Sequence, residues 1–77
     1  MKKVILFGAN CGKCKKAERI IHKVVNDHNL DIEFLKTEDF ETMAQHQVMY
    51  LPSVLIAGKL VFKGVIPTEK ELIKHLK

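Results

Sequence analysis

The sequence predicts an α/β fold whose elements run β-α-β-α-β-β-α, and three features of the chain predict it. Near the start, the apolar run Val4-Ile5-Leu6-Phe7 is cut off by Gly8, as in a short strand covered on both faces. Residues 11–28 then carry a helical period. Late in the chain, two apolar stretches lie close on either side of Gly58, a spacing that fits a hairpin.

In the first helix, Cys14, Ala17, Ile21, Val24 and Val25 share one face, with Ile20 at its edge. Lys15, Lys16, Arg19, Lys23 and Asn26 occupy the other, and Asn29 is the stop signal. Asp31-Ile32-Glu33-Phe34-Leu35 alternates polar and apolar, as a half-buried strand does. Thr37 is placed to cap a second helix, with Glu38, Asp39 and Glu41 where the helix dipole favours acids. Phe40, Met43, Ala44 and Gln47 mark the inner face of that helix, which frays near Gln47. After Pro52, residues 53–57 and 59–63 form the hairpin strands, Ala57-Gly58-Lys59 the turn, and Gly64 the end. Thr68-Glu69-Lys70-Glu71 fits a capping box, and Leu72, Ile73 and Leu76 give the last helix its core stripe. The first two strands, joined by a helix, are expected to be parallel with a right-handed crossover; the last two are expected to be antiparallel.

The 77 residues are expected to form one domain spanning 1–77, small enough to bury only ~60% of the surface its unfolded chain exposes. With 47% of residues apolar, disorder is not expected. The net charge of +4 is spread along the chain and is read as a solubility device, so no nucleic-acid partner is expected. No stretch approaches the ~20 apolar residues of a membrane helix. The basic-then-apolar start is too short for a secretory signal and ends at Gly8-Ala9-Asn10. A reduced cytoplasm is the expected compartment.

Cys11-Gly12-Lys13-Cys14 sits at a strand-to-helix junction. A bridge between cysteines this close constrains the unfolded chain little, so the pair reads as reactive or metal-binding. A helix N-terminus presents unpaired N–H groups and a partial positive charge. A sulfur at Cys11 lies near those donors, which stabilise its thiolate. Cys14, one turn on, falls on the apolar face. The asymmetry assigns roles: Cys11 attacks and the shielded Cys14 resolves. Lys13, Lys15, Lys16 and Arg19 crowd the helix end that disfavours cations, opposed only by Glu18. Lys13, between the cysteines, therefore reads either as a thiolate-stabilising site residue or as part of a solvated face. Lowering the Cys11 pKa gains little in attack, because nucleophilicity falls with basicity along a Brønsted slope of ~0.45. The larger gain is Cys11 as the leaving group when Cys14 closes the ring.

The alternative is a binding module in which the two thiols capture a soft metal or metalloid without turnover. Zinc normally takes four ligands. No second Cys-x-x-Cys exists, and His22, His28, His46 and His75 are scattered; no metal site is expected.

Cys-x-x-Cys opening the first helix, Leu51-Pro52-Ser53 before a hairpin, and Gly64 before a capped final helix together resemble the thioredoxin superfamily. The chain is most similar there to the small prokaryotic redox-active disulfide proteins, mini-thioredoxins of glutaredoxin-like size. The resemblance covers essentially the whole chain. It implies a thioredoxin-like fold with a four-stranded mixed sheet and helices on both faces. It also implies a cis peptide at Leu51-Pro52 beside Cys11 and Cys14, with the backbone of Leu51 pairing to an extended substrate. Three departures stand out. Thioredoxins carry Trp-Cys-Gly-Pro-Cys, and this chain has Asn10-Cys11-Gly12-Lys13-Cys14. Val4–Phe7 offers no buried acid beneath the resolving cysteine. The Gly-Gly-acid segment of glutathione-using glutaredoxins is replaced by Gly64-Val65-Ile66-Pro67-Thr68.

The sequence thus predicts a thiol–disulfide oxidoreductase with Cys11 and Cys14 as catalytic residues and Leu51, Pro52 and Lys13 as substrate-binding residues. No cofactor beyond the redox disulfide is expected. The expected partners are a disulfide-containing protein and a separate thiol reductant, and the chain is expected to act as a monomer.

Overall fold

In the computed structural model, which describes residues 2–9 and 11–76, the elements follow the predicted order. They are β1 (Lys2–Phe7), α1 (Gly12–Asp27), β2 (Ile32–Thr37), α2 (Phe40–Gln45), β3 (Ser53–Ile56), β4 (Lys59–Lys63) and α3 (Glu69–Leu76). Met1, Lys77 and Asn10, which stands in the tryptophan position of the thioredoxin motif, lie outside the described residues.

The four strands form one mixed sheet in the order β2-β1-β3-β4. β1 runs parallel to β2 and antiparallel to β3, and β3 runs antiparallel to β4. The alternation of side chains along a strand splits the core in two. Val4, Leu6, Val54, Ile56 and Phe62 face α1 and α3, meeting Ala17, Ile21, Val24, Leu72 and Leu76. Phe7 and Leu55 face the other way, toward Met43 of α2, with Ile5, Val48 and Leu60 at the margin. Helices therefore cover both faces, and β1 is apolar on both because both are packed. Full burial of a side chain such as Ile21 or Leu72 contributes roughly 1.5–3 kcal/mol, so the α1–α3 face holds most of the apolar stabilisation.

Local chemistry sets the ends of the elements. Asn29 adopts a left-handed φ of 50°, and the Leu30 N–H donates to Val25 O at 3.0 Å, closing α1 as a Schellman turn. α2 closes the same way, with Gln47 at φ 58° and the Val48 N–H donating to Met43 O at 2.8 Å. Thr68 Oγ1 accepts the Glu71 N–H at 3.3 Å, capping α3 as predicted.

Three expectations are corrected. Thr37 does not cap α2: it is the last residue of β2, paired with Phe7. Asp39 is the cap, its carboxylate accepting the Thr42 N–H at 3.1 Å. Of the expected inner face of α2, only Met43 is buried; Phe40 is 84% exposed, and Ala44 and Gln47 face solvent. This six-residue helix is too short to bury a full stripe. The turn residues are Ala57 and Gly58 alone, with φ of 51° and 83°, and Lys59 already pairs with Ile56. Positive φ at both positions is what a two-residue type I′ hairpin requires.

Candidate active site

The sheet register brings the loops together. Thr37, Phe7, Ser53 and Lys63 lie in one row across the four strands. The chain beyond Phe7 leads to Cys11, and the chain before Ser53 is Leu51-Pro52. The chain beyond Lys63 is Gly64. All three leave the sheet at the same end, so segments far apart in sequence are carried to one end of the fold.

Cys11 is the N-cap of α1, with extended φ and ψ of −121° and 162°, and its sulfur accepts the Cys14 N–H at 3.2 Å. One of the four amides that a helix start leaves unpaired is thus satisfied by sulfur rather than by an oxygen. No acid lies in the first turn of α1 to compete for that positive end. Cys11 and Cys14 form a disulfide with Cα atoms 5.2 Å apart. Cys11 is exposed, whereas Cys14 is 0% exposed. Attack from solvent is therefore open at one sulfur and closed at the other. Lys13 lies exposed between them.

Across the end of the sheet, the Leu51–Pro52 peptide is cis. Pro52 is buried while Leu51 keeps 37% of its surface. Leu51 borders an apolar groove shared with Phe40, Met49 and Tyr50. Phe40, Met49 and Tyr50 are 84%, 83% and 67% exposed, so this end of the sheet carries an exposed apolar patch.

Two residues of this region were given no site role by the sequence. Gly8, read there only as the end of a strand, lies against the resolving cysteine. A Cβ at Gly8 would stand 3.1 Å from Cys14 Cβ and 3.2 Å from its sulfur. Ser53, read as the first residue of a strand, is 1% exposed. Its hydroxyl donates to Tyr50 O at 2.6 Å and accepts the Gly64 N–H at 3.3 Å. The Ser53–Gly64 contact crosses the hairpin and is made by the fold; the Ser53–Tyr50 and Gly8–Cys14 contacts are closer in the chain, but neither residue type signals them.

Among the described residues, no group of three or more His, Cys, Asp and Glu side chains is placed to hold a metal ion. No described helix is long and apolar enough to cross a membrane.

A family model described as "Thioredoxin domain" matches residues 1–77. The thioredoxin of Methanocaldococcus jannaschii is 32% identical over 72 residues, covering 94% of this chain and 83% of that protein. The thioredoxin of Methanothermobacter thermautotrophicus is 25% identical over 76 residues, 99% of each. Among solved structures, oxidised mitochondrial thioredoxin 3 of Saccharomyces cerevisiae superposes with a TM-score of 0.75 at 26% identity, over 97% of this chain and 76% of that one. A malarial protein of 20% identity superposes with a TM-score of 0.79 over 100% and 99% of the two chains, a likeness of fold.

Proposed function

Because the chain belongs to the Thioredoxin domain family, whose activity at family level is thiol–disulfide exchange, we propose that it reduces disulfides of protein substrates through Cys11 and Cys14. The observation that carries this reading is the sulfur of the exposed residue Cys11 accepting the N–H of the buried Cys14 at a helix N-terminus. That donor and the helix dipole favour the thiolate of Cys11.

In the reduced protein, the Cys11 thiolate attacks one sulfur of the substrate disulfide. A Cys11–substrate mixed disulfide forms, and the other substrate sulfur leaves as a thiolate and takes up a proton. Cys14 loses its proton to water, since no acid lies in Val4–Phe7 to accept it. Its thiolate attacks the Cys11 sulfur, and the second substrate thiolate leaves. Two electrons have passed to the substrate, and Cys11–Cys14 is oxidised. A separate thiol reductant then reduces the Cys11–Cys14 disulfide and restores the dithiol. Leu51 and Pro52 seat the substrate backbone, Lys13 adds positive charge beside Cys11, and no cofactor takes part. The chain acts in the cytoplasm as a monomer, in one domain spanning residues 1–77.

The test is reduction of a protein disulfide, followed with the wild type, Cys11→Ser and Cys14→Ser. Turnover by the wild type, none by Cys11→Ser, and mixed disulfides trapped through Cys11 in Cys14→Ser are expected. Stoichiometric uptake of a soft metal by a wild type that exchanges no disulfide would instead establish a dithiol binding module.

A further inference from the structure

We propose that Ser53 is a positioning residue that aims the Leu51 N–H at the substrate backbone, an inference that rests on the disulfide-reducing function proposed above. Ser53 stands at the start of β3 with its hydroxyl sealed from water, at 1% exposure. A hydroxyl buried this deeply needs partners for its hydrogen and its lone pairs. Both come from loops of the active-site end: Tyr50 O accepts at 2.6 Å, and the Gly64 N–H donates at 3.3 Å.

The Tyr50 carbonyl belongs to the same peptide unit as the Leu51 N–H. A trans peptide is planar, with its C=O and N–H pointing in opposite directions, and the cis bond of this segment is the next one, Leu51–Pro52. Holding the Tyr50 carbonyl inward therefore turns the Leu51 N–H outward. Neither the N–H nor the C=O of Leu51 has a hydrogen-bond partner among the described residues. Pro52 has no N–H to offer. Leu51 thus presents one donor and one acceptor, the pair that a single residue of an antiparallel strand exchanges with its opposite.

Gly64 completes the clamp. A Cβ at Gly64 would stand 2.6 Å from Tyr50 Cβ, so a side chain there would push residue 50 away from the hydroxyl that holds it. Ser53 touches neither sulfur in the hydrogen-bond network, and its action runs through the 50–51 peptide alone.

Ser53→Thr and Ser53→Val have the same shape and differ by the hydroxyl, which separates the hydrogen bond from packing. Each variant, with Ser53→Ala, is compared with wild type on a protein disulfide and on hydroxyethyl disulfide, which has no peptide backbone to pair. Thermal melting and the Cys11–Cys14 reduction potential are measured alongside. Expected for Ser53→Val is a roughly tenfold rise in KM for the protein disulfide, the scale of one buried hydrogen bond. Hydroxyethyl disulfide turnover and the potential stay within about twofold and within error, and Ser53→Thr stays near wild type. Equal losses on both substrates, a shifted potential, an unmoved KM, or a Val variant that unfolds while Thr stays native would each overturn the proposal. A wild type inactive on both disulfides would overturn the underlying function instead.

Discussion

The residue scale holds the chemistry, and Cys11 and Cys14 differ in what surrounds each. Cys11 is held by one backbone donor and faces solvent; Cys14 is packed against the glycine that ends β1. Adding a methyl at Gly8 places a carbon 3.2 Å from the Cys14 sulfur, closer than comfortable contact. Overpacking of this kind costs ~1–3 kcal/mol. Gly8→Ala is therefore expected to melt several degrees lower and to shift the Cys11–Cys14 potential. An unchanged melting temperature and potential would show that α1 moves aside freely. Lys13 lies exposed beside Cys11 and is proposed above to add positive charge there. A nearby cation favours a thiolate, so Lys13→Gln is expected to raise the Cys11 pKa, read from thiolate ultraviolet absorbance during titration. A shift of zero would assign Lys13 to the solvated face of α1 with Lys16 and Arg19.

At the scale of elements, the caps decide stability and its dependence on pH. Asp39 accepts both the side-chain hydroxyl and the backbone N–H of Thr42, and these bonds hold its pKa below the usual carboxylate value. A depressed folded-state pKa gives stability that is fully present above the unfolded value of 3.8 and is lost as pH falls through the folded one. Asp39→Ala is expected to melt below wild type at neutral pH, with the gap closing in strong acid. A gap that persists at all pH values would assign the loss to helix propensity instead. The hairpin offers the opposite change. Ala57 sits at φ 51°, a conformation that costs an ordinary side chain ~1–2 kcal/mol and that Asn tolerates better. Ala57→Asn is expected to raise Tm by a few degrees; a fall would mean that the exposed turn is not strained. These two sites also show what the sequence makes legible. The periods of β1, α1 and α3 and the Cys-x-x-Cys at a strand–helix junction are local patterns, and they place those elements and both sulfurs. The cap of α2 was misassigned because Thr37 and Asp39 are both good caps two residues apart. What decides between them is the parallel ladder to β1 that keeps Thr37 in a strand. Gly8 and Ser53 carry no such pattern: a glycine after a strand and a serine at a strand start are common, and what makes them matter is the close approach of Cys14 and the joint hold on Tyr50 and Gly64.

Across the whole molecule, the two faces of the sheet are unequal, and the active-site end straddles that inequality. α1 and α3 pack a continuous core on one face, tied at the surface by Lys23, which contacts Asp27 and Glu69 at 3.0 and 3.1 Å. The other face is covered by α2, a helix of six residues that buries one side chain, Met43. A helix this short has no stability of its own, and its cover depends on the few contacts among Phe7, Met43 and Leu55. The disulfide thus sits on the more extensively packed face, with Cys14 on α1, and the Met49–Leu51 segment follows the sparsely packed α2. Regions with few buried contacts open locally without global unfolding. In native-state hydrogen exchange, the amides of residues 43–48 are expected to exchange through openings far smaller than those that release β1 and α1. Core truncations follow the same division. Leu72→Ala is expected to cost ~3 kcal/mol, a large share of the ~5–15 kcal/mol of a typical domain, and to lower the protection of every element. Met43→Ala is expected to cost less and to speed exchange in α2 while leaving α1 nearly unchanged. Equal protection of α1 and α2 in the wild type, or a loss of α1 protection in Met43→Ala as large as that in Leu72→Ala, would show a single cooperative core. The Met49–Leu51 segment, proposed above to seat the substrate, would then open no more readily than α1.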